Sequence, residues 1–584
     1  MDRLTPRLPL LFGLGVLLHV LFAVALGQPA PAGRFQDVNV YLELAHGLWS
    51  DGAYVSLVNQ RPYPPGYPLL LAPTFAIASN AARFAVVYAL HAVLLGAASL
   101  LLLPMLSAAL GRTRAWWSLI LLQGMAGASF TLLHAQSEAL YTPLLVALTG
   151  AVYLAWRRPG LRWALLAGVL AGLTLSTRRL GVVAPLGLLL VLAHDLVADS
   201  RRGQPIGWAR ALCILLGMAL GLAPDGLAAL LQGEVVNAYP KYGSTYAEAG
   251  GAALVSLANA KYAVSTAANQ LAYFVLITLG APVAMAAFLW ARWRPLGSAE
   301  DARAATDQHL LATQRAAQWV GYAALGSAAL TALHIVRHVF KAGSKEGFST
   351  YPRYLDPLEI PLVVMGVLAA AALSAPELRN RAHSIVARFA LLALGLAALA
   401  GPWYRTRAGR LLPLRRFTQW GMEPLGLAFF LLVSVAVLGL FWWLWRAGRA
   451  GTWVGVAAAV LASWVISAHV PIGWGLRGIK PHPPAPLLRA PAIAADPSSP
   501  LCVVVDWRSR HYYELAFRSD HEAFFVTNRQ ARECAVEHGG GWLVASLDST
   551  FRPARYKVEL APDAKVIKIG RWKAWPMPVR EESK

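Results

Sequence analysis

The chain has 584 residues, of which 57% are hydrophobic and only 14% are charged. These proportions exclude an ordinary soluble enzyme and are typical of a protein that crosses a membrane many times. A formal net charge of +22 would suit a nucleic-acid-binding protein. However, most basic residues fall in short loops between apolar runs, where they orient membrane helices. No basic stripe with interleaved aromatic residues is present, so nucleic acid is excluded as a partner.

Apolar runs long enough to span a bilayer recur along most of the chain, and about 13 transmembrane helices are predicted by length. Lipid requires these runs to be helical, because every backbone polar group must be satisfied within its segment. The predicted spans lie at 8–27, 82–106, 115–133, 139–156, 163–177, 181–197, 209–231, 269–290, 319–340, 354–374, 385–402, 424–445 and 452–470. The first run could also be a signal peptide, but it lacks a clear cleavage site, which favours a retained anchor.

The loops between these runs predict the orientation of the chain. Arginines cluster in alternate loops, which places the N-terminus inside and, with an odd helix count, the C-terminus outside. One predicted outer loop, from Arg405 to Arg416, is also rich in arginine. Either a helix is miscounted there, or these arginines bind anionic lipid or a phosphate.

A proline-rich linker at 475–500 separates the membrane part, 1–474, from residues 501–584. Alternating strand and helix patterns predict a small extracytoplasmic α/β domain, for which no catalytic role is expected. The predicted strands are LCVVVDW, EAFFV, GWLVASL, YKVELA and AKVIKIGRW, and the predicted helices are RSRHYYELAF and RQARECAVEH. Cys502 and Cys534 are predicted to pair there, in an oxidising compartment. Cys213 lies in an apolar run, and no zinc-type cysteine pair is present.

The segment at 28–81, between the first two predicted spans, is long for a connection. Asp37 precedes an amphipathic stretch in which Val40, Leu44 and Leu48 share one side, which predicts a helix lying on the membrane. Pro64-Pro65-Gly66 then returns the chain stiffly toward lipid. The run at 67–77 is too short to span and is predicted to lie in the interface. A lone carboxylate outside a membrane helix is usually a solvated charge, but these features favour a catalytic mouth.

Three stretches carry a resemblance to a known family. They are Asp37…Tyr41-Leu42…Ala45…Leu48…Gly52-Ala53-Tyr54…Arg61-Pro62…Pro64-Pro65-Gly66-Tyr67-Pro68, then Ser137-Glu138, and then Tyr351-Pro352-Arg353-Tyr354-Leu355. This order resembles the GT-C superfamily of polyprenyl-phosphate-sugar-dependent glycosyltransferases, which includes bacterial aminoarabinose transferases and protein O-mannosyltransferases. The resemblance covers roughly the first 375 residues. It implies a GT-C-like fold and transfer of a sugar to an acceptor outside the membrane.

The resemblance also implies roles for individual residues. Asp37 is expected to be the general base that takes the proton of the acceptor hydroxyl, and one base suffices for an inverting reaction. Glu138 is either a second active-site carboxylate or a helix N-terminal charge favoured by the dipole. The leaving phosphate gathers negative charge that arginine, lysine or a metal stabilises. The expected contacts to the donor phosphate are Arg353, Arg178, Arg179, Arg61, Tyr67 and Tyr354.

Several of these residues have other readings. Arg178 and Arg179 also fit snorkelling to lipid headgroups. Arg337 and Lys341 are further phosphate candidates, and they would repel a metal from the neighbouring pair of histidines, His334 and His338. No metal ligand is therefore predicted, although a divalent cation is left open as a cofactor. Hydrogen bonds inside the bundle are the expectation for His19, His91 and Asp225.

Two other functions compete with a transferase. One is a ligase or polymerase acting on lipid-linked glycans, and the other is a lipid or solute transporter or flippase. Transporters tend to show internal repeats, and none is evident here, while the long early loop favours the transferase. The expected partners are a polyprenyl-phosphate sugar donor, an extracytoplasmic lipid, glycan or protein acceptor, and membrane lipids. The expected location is a bacterial inner membrane, with the site on the periplasmic side.

Overall fold

The computed structural model describes residues 7–26, 36–50, 63–125, 135–158, 160–201, 207–232, 281–293, 308–341, 355–373, 486–496, 498–504, 523–526, 528–546, 551–561, 565–569 and 572–578, with scattered residues at 129–133 and 263–280. Six helices in these ranges are long and apolar enough to cross a bilayer. They are Leu8–Ala25, Asn80–Leu100, Glu138–Arg157, Arg179–Val197, Trp208–Leu231 and Asp356–Leu373. The chain is therefore an integral membrane protein with helical spans.

The described ranges up to residue 125 contain six helices, with a 3-10 turn at Ala72–Ala76. They are α1 (Leu8–Leu26), α2 (Gln36–Ser50), α3 (Gly66–Leu71), α4 (Asn80–Leu100), α5 (Leu103–Leu110) and α6 (Arg112–Gln123). Helix α1 packs against α4 and α6. The span predicted at 82–106 is present but ends at Leu100, and α5 follows it, because Pro104 has no backbone N–H to donate and its ring disfavours a continuous helix. The helix predicted at 115–133 likewise ends early, before Gly124.

The next helix, α7 (Glu138–Arg157), forms the centre of the bundle. It is buried along almost its whole length and contacts α4, α8 (Leu161–Thr177) and α13 (Gln308–Lys341). A helix surrounded on all sides is fixed in position and rotation by its neighbours. The bundle therefore holds its first residue, Glu138, at a defined place.

Helix α8 packs backbone to backbone against α10 (Trp208–Gly221), which follows a 3-10 turn (Arg179–Val182) and α9 (Val183–Arg201). Gly168 and Gly172 of α8 face Gly217 and Gly221 of α10. A Cβ on Gly172 would lie 2.8 Å from Gly221 Cα, so a larger residue has no room there. Small residues at four-residue spacing allow this approach, and it fixes the end of α8. The span predicted at 209–231 is present at Trp208–Leu231, with a break in the helix at Leu222, after which α11 (Ala223–Gln232) begins.

The remaining helices of the described membrane part are α12 (Ala281–Trp293), α13 and, after a 3-10 turn (Asp356–Leu358), α14 (Glu359–Leu373). Helix α13 begins eleven residues before the predicted span at 319–340, since its first turns are polar but still helical. The predicted spans at 385–402, 424–445 and 452–470 lie outside the described residues, as does the loop from Arg405 to Arg416.

In its described residues, the C-terminal part holds two 3-10 turns (Pro486–Arg489 and Pro553–Tyr556), two short helices and five strands. They are α15 (Pro491–Ala494), β1 (Leu501–Val504), β2 (Ala523–Val526), α16 (Ala531–Glu537), β3 (Trp542–Ser546), β4 (Ile567–Ile569) and β5 (Trp572–Pro576). The strand order is β2-β1-β3-β5-β4, with β1 parallel to β2 and β3, and β5 antiparallel to β3 and β4. The predicted disulfide is confirmed, and it joins Cys502 of β1 to Cys534 of α16.

Two details of the predicted strand pattern are wrong. YKVELA forms no strand, because a 3-10 turn (Pro553–Tyr556) enters it and Lys557 has a left-handed backbone with φ of 54°. AKVIKIGRW was expected to be one strand but contributes to both β4 and β5, which pair with each other. The helix predicted in RSRHYYELAF lies outside the described residues.

Candidate active site

Helix α2 is packed against other parts of the protein. Residues 40–45 are all buried. Val40 and Leu44 form a small apolar cluster with Ala228 of α11, and Tyr63 packs against it. The predicted helix is present, but its apolar side faces protein and not lipid. Asp37 is the second residue of this helix.

The proline turn after the loop rests on the end of α8. Pro64 and Pro65 are buried, and α3 begins at Gly66. A Cβ on Gly66 would lie 2.9 Å from Ser176 O and 3.0 Å from Thr177 Oγ1. Glycine is needed for so close an approach between two backbones. The turn therefore lies beside the point where α8 ends, one residue before Arg178.

A buried ion pair joins the start of α7 to the end of α8. Arg178 Nη1 lies 2.6 Å from Glu138 Oε1, and the two side chains are 8% and 2% exposed. Each charge also suits its helix terminus, since a carboxylate is favoured at an N-terminus and a cation at a C-terminus. Burial excludes snorkelling as the role of Arg178. Two opposite charges held together in the interior attract each other strongly, because little water is present to screen them.

A chain of hydrogen bonds connects this ion pair to helix α2. The Tyr41 hydroxyl of α2 donates to Ser137 Oγ over 2.9 Å. Ser137 Oγ in turn donates to Glu138 Oε2 over 3.3 Å. This chain of hydrogen bonds therefore runs from α2, through the residue before α7, to Glu138 and its partner Arg178.

Aromatic side chains pack around the Tyr41 end of this hydrogen-bond chain. The ring of Tyr41 meets those of Tyr63 and Tyr67 edge to face, with centres 5.2 and 5.4 Å apart. Tyr67 is fully buried and shares a hydrogen bond of 3.0 Å with His91 Nε2, which confirms the interior bond predicted for His91. Burial raises the pKa of Tyr67 well above 10.0, and the nearby Tyr88 and Glu138 add to the shift. Tyr67 is therefore a neutral phenol that offers hydrogen bonds but no charge.

Arg179 differs from Arg178 in its surroundings. It is only partly buried, and its Cζ lies 5.2 Å from the centre of the Tyr63 ring. Ser176 holds the end of α8, just before Arg179, in place. The Ser176 hydroxyl donates to Asp225 of α11 and lies 3.1 Å from Gly221 O. The interior bond predicted for Asp225 is confirmed. Arg179 thus lies at the partly open edge of the same helix end.

Two buried polar atoms next to Glu138 make no hydrogen bond within the described part of the chain. They are Nε2 of Gln136 and the hydroxyl of Tyr141. Tyr141 lies one turn after Glu138 on α7, and Arg178 Cζ is 5.9 Å from the centre of its ring. Buried polar groups almost always have partners in proteins. Hydrogen-bonding capacity is therefore left over beside the ion pair.

No protein-family model matches the chain, and no curated protein matches it. Among solved structures, it is similar to ArnT from Cupriavidus metallidurans in the apo state, with 15% identity, 97% of both chains covered and a TM-score of 0.48. For the same protein bound to undecaprenyl phosphate the values are 15%, 97% of both chains and 0.47. It is also similar to an oligosaccharyltransferase from Archaeoglobus fulgidus in the apo form, with 11% identity, 92% of this chain and 70% of that chain covered, and a TM-score of 0.37.

The structure brings together four of the residues singled out from the sequence, namely Glu138, Arg178, Arg179 and Tyr67. Arg61, Arg353 and Tyr354 lie outside the described residues. The backbone of Asp37 is in α2, and its side chain is outside the described part. The same holds in α13 for the side chains of His334, Arg337, His338 and Lys341.

Sequence reasoning missed the connections between these residues. Tyr41 and Ser137 are in the motifs, but their contact joins positions that are 96 residues apart. The pairing of Glu138 with Arg178 has no local signal either, since it depends on how α7 and α8 pack. A tyrosine one helical turn after Asp37 was the one available hint, because residues four apart share a helix face.

Proposed function

We propose that the chain is an integral membrane glycosyltransferase, which takes a sugar from a polyprenyl-phosphate donor and attaches it to an acceptor hydroxyl on the outer side of the membrane. One observation carries the proposal. Helix α2, whose second residue is Asp37, and the proline turn at Gly66 pack onto the two helix ends that hold Glu138 and Arg178. These parts are about 100 and 140 residues apart along the chain, so a local sequence pattern does not account for their contact.

In the proposed reaction Asp37 acts as the general base. Its carboxylate takes the proton of the acceptor hydroxyl, whose oxygen forms a bond to the anomeric carbon of the sugar. The bond from that carbon to the phosphate oxygen breaks, and polyprenyl phosphate leaves with the electron pair. A single displacement of this kind inverts the anomeric centre. Glu138 is proposed as the second carboxylate of the site, held in place by its ion pair with Arg178.

Cationic and polar groups are proposed to receive the donor. Arg179, which is only partly buried, suits a charge-assisted bond to the phosphate at the edge of the site. The unused hydrogen-bonding atoms of Gln136 and Tyr141 suit the hydroxyl groups of a sugar. Arg61, Arg353 and Tyr354 are proposed as further phosphate contacts, and a divalent cation could add to the neutralisation.

Release of polyprenyl phosphate tests the proposal. The full chain would be reconstituted in lipid nanodiscs and supplied with undecaprenyl phosphate carrying glucose, mannose, galactose or arabinose. Envelope lipid and glycan fractions from the source cells would serve as acceptors. We expect one donor to yield free undecaprenyl phosphate and a labelled acceptor. Use of diphosphate-linked oligosaccharides alone would indicate the ligase or polymerase, and lipid movement across vesicles without release would indicate the flippase.

A further inference from the structure

We propose that Tyr41 is a positioning residue, which holds the loop helix α2, and with it Asp37, at a fixed place relative to Glu138. This inference rests on the proposed function. Tyr41 does not need to touch the substrate in this role. Its hydroxyl acts through Ser137, and its effect reaches the reaction by fixing the distance between two carboxylates on different helices.

The geometry of α2 supports the role. Tyr41 follows Asp37 by four residues in one continuous helix, Gln36–Ser50, so the two Cα positions lie one turn apart on the same face. The Tyr41 side chain is 4% exposed, and its hydroxyl donates to Ser137 Oγ over 2.9 Å. This bond ties the first half of α2 directly to the start of α7.

The far end of the bond is rigid, which a positioning role requires. Ser137 directly precedes α7 and also donates to Glu138 Oε2. Glu138 is fixed by Arg178, and α7 is the most buried of the six candidate spans in the described residues. The aromatic contacts of Tyr41 with Tyr63 and Tyr67 fill the space around its ring. Removing only the hydroxyl should therefore free the helix from its anchor while leaving the ring packed.

Tyr41→Phe tests this with a well-matched control. Tyr153, on the same helix as Glu138, is also buried, and its hydroxyl bonds to His309 Nδ1 over 2.8 Å at the other end of α7. Tyr153→Phe removes a comparable bond between helices but is remote from Asp37. Both variants should lose some thermal stability in detergent, since each loses a hydrogen bond between helices, which is buried for Tyr41 and part-buried for Tyr153.

Activity separates the two variants. With the undecaprenyl-phosphate sugar that the wild type uses, we expect Tyr41→Phe to lower kcat roughly three- to tenfold, with KM for the donor unchanged. Tyr153→Phe should change neither constant. Ser137→Ala removes the next link of the same chain, so Tyr41→Phe combined with Ser137→Ala should lose no more activity than the more affected single variant.

The outcomes distinguish the two proposals. Equal kcat in Tyr41→Phe and wild type overturns the positioning role and leaves the proposed function standing. Losses that multiply in the double variant also overturn it, because they would mean that Tyr41 and Ser137 act independently. Absence of undecaprenyl phosphate release by the wild type with every donor overturns the proposed function, and the role of Tyr41 with it.

Discussion

At the scale of single residues, the chemistry proposed here depends on Asp37. Asp37→Asn keeps the size of the side chain but cannot accept the acceptor proton, so transfer should fall by about 10² to 10⁴, with donor binding nearly intact. The assay is sugar transfer by the reconstituted chain, together with binding of the donor. Asp51→Asn, just after the end of α2, is the control and should be close to neutral. Near-wild-type transfer by Asp37→Asn would make Asp37 a surface charge and Glu138 the next candidate base.

The Glu138–Arg178 pair gives a second residue-scale prediction, on stability. Glu138→Ala leaves Arg178 buried without its partner, which typically costs about 3–5 kcal/mol in the free energy of unfolding. A large fall in the thermal midpoint in detergent should show it. The control is Arg162, an exposed residue near the start of α8, the helix that ends just before Arg178. Arg162→Ala should change stability by no more than about 0.5 kcal/mol.

A double substitution separates the structural from the catalytic role of this pair. Replacing both residues by methionine removes both buried charges, and such replacements are often neutral for stability. The variant with Glu138→Met and Arg178→Met should therefore regain much of the lost stability but not the transfer activity. Recovery of activity along with stability would show that the pair only holds the helices together.

At the scale of elements, contact between α8 and α10 determines where the end of α8 lies. Gly172→Val would place atoms within contact distance of the α10 backbone, since a Cβ alone would lie 2.8 Å from Gly221 Cα. Overpacking of this kind typically costs about 1–3 kcal/mol, and the displaced helix end should also reduce transfer. Thermal unfolding and transfer would be measured on the same samples. Gly226→Ala is the control, because a Cβ there has nothing within 4 Å, and an unaffected Gly172→Val would argue against close packing.

The elements also show how far sequence reasoning reaches. Apolar length located α1, α7, α8 and α9 within a few residues, because each is one uninterrupted run. It placed the end of α4 six residues too late, at 106 and not at Leu100, because Pro104 disfavours a continuous helix there. The four glycines between α8 and α10 were not recognised, since each pair is ordinary by itself and their meeting is a property of the packed bundle. The same holds for the candidate site, because its residues can be found in sequence motifs but the contacts between them depend on how the helices pack.

At the scale of the whole molecule, the C-terminal part differs from the membrane part because it contains the disulfide. The chain has three cysteines, and Cys502 and Cys534 are paired while Cys213 is free. Under denaturing conditions, a maleimide reagent should label one thiol before reduction and three after it, as read by intact mass. Loss of both paired cysteines should destabilise this part by about 2–4 kcal/mol. Labelling of all three thiols without reductant would mean that the bond does not form in the cell.

The distribution of charge over the described helix ends predicts the orientation of the molecule. One set of ends carries arginines, where α7 ends at Arg157, α8 begins beside Arg162 and α9 ends at Arg201. The opposite ends of α7 and α8 hold Glu138 and the buried pair. Positive residues collect on the cytoplasmic side, so the candidate site should face outward, where a disulfide is also stable.

Reporter fusions at Lys584 test this orientation together with the odd number of spans. Alkaline phosphatase fused there should be active and a green fluorescent protein dark, whereas the same fluorescent protein at the N-terminus should be bright. A phosphatase inserted at 204, between α9 and α10, is the matched control and should be inactive. Fluorescence at both termini would mean an even number of spans. An active phosphatase at 204 would mean that the bundle has the opposite orientation in the membrane. Glu138 and Arg178 would then lie on the cytoplasmic side, away from any extracytoplasmic acceptor.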